Sequence, residues 1–148
     1  MQPDTWILIG DAARARLFAT HGVAAPWQLV QAYVHPMSMA KIGEIMADKA
    51  GRVQQSTGGG MRSAADPRTE AKEVEAQHFA QELGGVLADG HARNKYKRLV
   101  LVAPPHFLGL LRKVLSDPVS KAVVASVGKD LAEIPDHELP RRLADDLR

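Results

Sequence analysis

The sequence contains no cysteine. Disulfides and thiolate metal sites are therefore excluded, and the absence accords with a reducing compartment. Aromatic residues make up only 5% of the chain, and none falls between Tyr33 and Phe79. No apolar run approaches the roughly 20 residues that a membrane-spanning helix needs. The N-terminal stretch MQPDTWILIGD has Asp4 where a secretory leader has basic residues, and its apolar run stops at Asp11. Neither a signal peptide nor a membrane contact is expected from it, and the expected location is the cytoplasm.

A strong excess of one charge is also lacking. The net charge is +2 and the pI about 9.0, too mild a balance to define a partner alone. The distribution says more. Residues 91 to 98, HARNKYKR, carry Arg93, Lys95, Lys97 and Arg98 with no acid among them. The stretch from Lys49 to Lys72 holds five basic and two acidic residues. Such clusters are most often solvated surface.

Catalytic signatures are missing too. The six histidines stand at 21, 35, 78, 91, 106 and 137, with no pair at a metal-ligand spacing. His137-Glu138 starts like a zincin motif, but Arg141 occupies the place of the second histidine. The run Gly58-Gly59-Gly60 is not a P-loop, because no Gly-Lys-Ser/Thr follows. A two-metal nuclease needs convergent carboxylates. Asp11, Asp48 and Asp130 are the candidates, and Asp11 reads more simply as a turn residue. No catalytic residue, metal or cofactor is expected.

The 148 residues that are present suit one domain, spanning 1–148. Three short β-prone runs come first: WILIG at 6–10, RARLFA at 14–19 and WQLVQAYV at 27–34. Their close spacing predicts antiparallel hairpins. Residues 38–47 fit a short helix, with Ile42, Ile45 and Met46 on one side. From 48 to about 66 there is no periodicity, which predicts a long Gly-rich loop of the kind that is usually functional or disordered.

Asp66-Pro67 then reads as an N-cap and first helical residue. Ala76, Phe79, Ala80, Leu83 and Leu87 share one face of the helix that follows. Gly84-Gly85 weakens the helix locally, with close packing one reason for such a pair, and Gly90 is a stop. RLVLVA at 98–103 predicts a central strand covered on both faces. Pro104-Pro105 opens a helix with Leu108, Leu111 and Leu115, ended by Asp117-Pro118. AVVASV at 122–127 fits a fifth strand, and Asp136 a cap for a last helix with Leu139, Leu143 and Leu147. The order is βββ-αβαβα. It predicts an α/β domain with a mixed five-stranded sheet and helices on its faces, similar in order to ribonuclease-H-like folds.

Four stretches carry a resemblance: WILIGDAARARLF, ADKAGR, EAQHFAQELGGVL and LVLVAPPHFLGLLRKVL. Over nearly the whole chain they resemble the bacterial host attachment family, known as proteins required for attachment to host cells. Asp11, Arg14 and Arg16 lie in one family-like motif, and Pro104, Pro105 and Arg112 in another. The family is more remotely similar to the middle domain of archaeal and eukaryotic class I release factors. In those, a Gly-Gly-Gln loop precedes a long helix and enters the peptidyl transferase centre.

Gly58-Gly59-Gly60-Met61-Arg62 stands at the corresponding place here, before the helix at Pro67, but in neither register does a glutamine follow the glycines. The resemblance therefore implies contact with the ribosome, tRNA or rRNA rather than peptidyl-tRNA hydrolysis. Glycine lets another backbone approach closely, and Arg52, Arg62 and Arg68 are the cations placed to meet phosphate. Arg93, Lys95, Lys97 and Arg98 form a second basic candidate, with Tyr96 either a base-stacking side chain or a half-buried rim residue. The alternatives are a protein–protein interaction factor acting directly in attachment and a weak peptidyl-tRNA hydrolase. Oligomeric state is not legible.

Overall fold

The computed structural model describes residues 3–22, 25–38 and 67–147. The expected helix at 38–47 lies almost wholly outside the described residues, and the loop at 48–66, with the Asp66 cap, lies entirely outside them.

Five strands form one sheet: β1 Thr5–Gly10, β2 Arg14–Thr20, β3 Gln28–Val34, β4 Arg98–Val102 and β5 Val123–Val127. Their spatial order is β3-β2-β1-β4-β5. β1 pairs antiparallel with β2, and β2 with β3. β1 and β4 pair in parallel, as do β4 and β5. The expected mixed α/β sheet is what forms. Tight hairpins allow antiparallel neighbours, whereas the parallel pairs need helical crossovers.

Along the sheet run α1 Pro67–Ala92, α2 Pro105–Val114, α3 Asp117–Ala122 and α4 Leu139–Arg142, the last preceded by a 3-10 turn at Asp136–Glu138. Alternate residues of the central strands feed two cores, because successive strand side chains point to opposite faces. Trp6, Leu8, Leu17, Leu99 and Leu101 pack with Phe79, Leu83 and Leu87 of α1 and Phe107 and Leu111 of α2. Ile7, Ile9, Phe18, Val100 and Val102 pack with Leu131, Leu139 and Leu143 on the other face. Burial on both faces explains the continuous apolar character of TWILIG and RLVLV.

Four expectations are corrected. Asp117-Pro118 ends one helix but also opens another, α3, with Pro118 inside its first turn, where the missing N–H is harmless. Gly90 does not stop α1. The helix runs through it, and a Cβ there would stand 2.4 Å from Cη2 and Cζ3 of Trp6. The stop is Asn94, at φ 58°. Lys95 N–H donates to the Gly90 carbonyl (2.9 Å) and Asn94 N–H to that of His91 (3.0 Å). This pair of bonds is a Schellman motif with Asn in the left-handed position.

Asp136 caps nothing with its side chain; Pro135 precedes the 3-10 turn, and α4 ends at Arg142. Leu147 lies beyond it, partly buried against the second core. Finally, Tyr96 is neither a rim residue nor a free stacking platform. It is 3% exposed. Its phenol donates to the Leu87 carbonyl at 2.7 Å, and its ring stacks on Trp6 with centroids 4.7 Å apart.

Candidate functional site

Arg52, Gly58, Gly59, Gly60, Met61 and Arg62 lie outside the described residues. Arg68 sits in the first turn of α1 and is exposed. The second basic group is placed in full. The Schellman turn after α1 leads directly into β4 and presents Arg93, Lys95, Lys97 and Arg98 as exposed side chains around the buried Tyr96. Two of the four cations are partly neutralised. Arg93 pairs with Asp89 at 3.2 Å and Arg98 with Asp4 at 3.1 Å. The Asp4 carbonyl also accepts from Lys97 N–H and Arg98 N–H, at 2.7 and 3.0 Å, which fixes the turn against the start of β1. Burial pushes the Tyr96 phenol up to about 12, so it stays a neutral donor beneath the patch.

The family-like motifs have structural work. Asp11 Oδ1 accepts from the backbone N–H of Ala13 (2.9 Å) and of Arg14 (3.0 Å), closing the β1–β2 turn. Arg14 pairs with Asp11 at 3.5 Å but also reaches Glu133 at 3.0 Å. Arg16 donates to the carbonyls of Leu131 (3.2 Å) and Ala132 (2.9 Å) and to the Asp136 carboxylate. It thereby ties β2 to the C-terminal segment. Pro104 takes the cap position of α2 and its carbonyl accepts from Leu108 N–H at 2.9 Å, while Pro105 is the first helical residue. Arg112 is an exposed residue of α2, remote in sequence and role from the turn that Asp11 closes. Among the described residues no group of three or more His, Asp or Glu is arranged to hold a metal.

Two features escaped the sequence reading. The first is a polar cluster where β3 meets α1. His35 Nε2 lies 3.0 Å from Glu75 Oε1, His78 Nδ1 lies 3.5 Å from the same oxygen, and His35 Nδ1 is 4.0 Å from Glu82 Oε1. His35 is buried, with its ring stacked on Phe79 and its backbone N–H bonded to the Ala13 carbonyl at 2.8 Å. The His35 hydrogen bond holds the Glu75 carboxyl below its usual range, with His78 adding to the effect and burial opposing it. The legible signal was the spacing of Glu75, His78 and Glu82, which three- and seven-residue offsets place on one side of a helix. These contacts pin the end of β3 to α1.

The second is a groove of about 830 Å³ between α1 and the β3 side of the sheet. Its apolar walls include Trp6, Leu17, Val30 and Val86, and Arg93 and Lys95 stand on its border. Its signal was weak, because β3 reads as an ordinary strand. In the sheet, however, Leu29, Val30 and Val34 are 47%, 45% and 59% exposed.

The fold and these surfaces define a small α/β protein with a mixed sheet, two packed faces and a basic turn at one end. The chain matches, over residues 6–143, the family described as "Protein required for attachment to host cells", and it belongs to that family. No curated protein matches it. No helix among the described residues is long and apolar enough to cross a membrane.

Proposed function

We propose that the protein is a cytoplasmic, release-factor-like module that binds RNA on or near the ribosome, and that its family's role in attachment is a downstream consequence. The observation that carries this reading is the arrangement around α1. In chain order, the Gly58–Arg62 run stands between β3 and this 26-residue helix, which is where a release-factor middle domain has its glycine loop. The other end of α1 bears Arg93, Lys95, Lys97 and Arg98 on one exposed turn. Lys95 and Lys97 have no acidic partner among the described residues, which leaves them to neutralise phosphate. The missing glutamine favours binding over hydrolysis.

The reading is tested by co-sedimentation with ribosomal subunits at low and moderate salt. Association that weakens steeply as salt rises supports it, because cations that neutralise phosphates release counterions. Failure to associate at low salt, with and without added tRNA, removes it.

A further inference from the structure

We propose that the edge of β3 and the groove beside it bind an extended peptide by its free C-terminus. Among the described residues nothing pairs with the outer edge of β3, the last strand in the order β3-β2-β1-β4-β5. Exposed edges are normally blunted by charge, proline, bulges or shortness, because their free backbone groups recruit further strands. β3 carries one of these protections, a bulge at Val30 where its register with β2 shifts between Leu17 and Phe18, and lacks the others. Its seven residues, QLVQAYV, contain no charge and no proline. Leu29, Val30 and Val34 are about half exposed. The groove that Leu29, Val30 and Tyr33 share with α1 has a volume of about 830 Å³, within the range of ligand sites.

Charge and strand direction select the occupant. Gln28 pairs with Ala19, Thr20 with Thr5, and Thr5 with Arg98, so the Gln28 end of β3 is the end of the sheet where the basic turn enters β4. Arg93 and Lys95 border the groove together with Gln28 and Asp89, the acid that pairs with Arg93 at 3.2 Å. A strand added antiparallel to β3 runs from Val34 towards Gln28 and brings its C-terminus to that end. Its carboxylate then meets Lys95, which has no acidic partner among the described residues, beside an Arg93 that is already paired with Asp89. A parallel strand would bring an ammonium group to the same cations. The main chain supplies hydrogen bonds in this mode, and alternate side chains supply specificity. The ligand is therefore a peptide with apolar residues at alternate positions and a free terminal carboxylate.

The experiment is selection of the full chain against a random heptapeptide library displayed with free C-termini. Enriched peptides are then synthesised as free acid and as amide for fluorescence polarisation. Alternating apolar residues are expected, with binding of the amide weaker by about tenfold, as loss of one charge-assisted bond implies. Lys95→Glu should weaken the free acid by about tenfold or more and erase its advantage over the amide. Val30→Lys, which places a charge on the edge, should abolish binding while circular dichroism stays that of the wild type. It should also leave ribosome co-sedimentation intact, which separates this proposal from the RNA reading, where Lys95 is shared. No enrichment, or equal binding of acid and amide, overturns the proposal. So does a concentration-dependent dimer that Val30→Lys dissociates, since the edge would then belong to a second copy.

Discussion

Gly90 lies against the ring of Trp6 so closely that a Cβ on it would stand 2.4 Å from two ring carbons. The ring cannot easily retreat, because its other neighbour is the stacked and buried Tyr96. Gly90→Ala should therefore destabilise the fold by about 1–3 kcal/mol, overpacking outweighing the better helix propensity of alanine. Gly85 is the control: it sits in the same helix with nothing within 4 Å of its Cβ position. Gly85→Ala should stabilise by roughly 0.5–1 kcal/mol. Urea denaturation of both variants checks the pair, and equal effects would show that Trp6 yields.

Tyr96 supplies a second prediction. Tyr96→Phe removes its 2.7 Å bond to the Leu87 carbonyl and should cost about 0.5–1.5 kcal/mol near neutral pH. The alkaline limb is more specific. The folded phenol ionises only near 12, against the ordinary 10.0. A raised folded pKa means that the unfolded chain loses its proton first. This part of the stability is complete below pH 10 and fades between about pH 10 and 12. Wild type and Tyr96→Phe should therefore converge in denaturant midpoint across that window, and parallel curves would contradict the buried phenol.

Acid should act through Glu75. Its carboxyl is held below the ordinary 4.5, first by His35 and then by His78. A depressed folded pKa contributes stability above the unfolded value, lost as pH falls through the folded one. Melting temperature should drop less between pH 4.5 and 3 for Glu75→Gln than for wild type. Identical acid profiles would mean that the His35–Glu75 contact does not persist in solution.

Arg16 joins β2 to the C-terminal segment through two carbonyls and a carboxylate. Arg16→Lys keeps the charge but loses the planar fork. A loss of about 1–3 kcal/mol is expected, with amide hydrogen exchange accelerating first at Leu131 to Leu143. Uniform acceleration across the sheet would point to a global effect instead.

Much of this fold was legible because its strands follow simple rules. The continuous apolar runs of β1 and β4 mark strands covered twice, and Pro67 and Pro105 mark helix starts. Three kinds of information were hidden. Gly90 reads as a stop by residue type, and only the position of Trp6 shows that it is a packing residue. Tyr96, flanked by Lys95 and Lys97, reads as surface, yet the turn at Asn94 directs it inward to Leu87. The exposure of Leu29, Val30 and Val34 depends on β3 being an edge, which is a property of strand order rather than of local sequence. The candidate site was legible as charge: Arg93, Lys95, Lys97 and Arg98 were found as a cluster, but not the acids Asp4 and Asp89 that partly offset it.

The central claim is RNA binding at the ribosome, and its most direct test is pelleting with ribosomal subunits across a salt series. Wild type should pellet at about 50 mM salt and be released steeply towards about 200 mM. The double variant Lys95→Glu/Lys97→Glu should stay in the supernatant at salt concentrations where wild type still pellets. Wild-type protein left wholly in the supernatant at about 50 mM salt, with or without tRNA, would contradict the account.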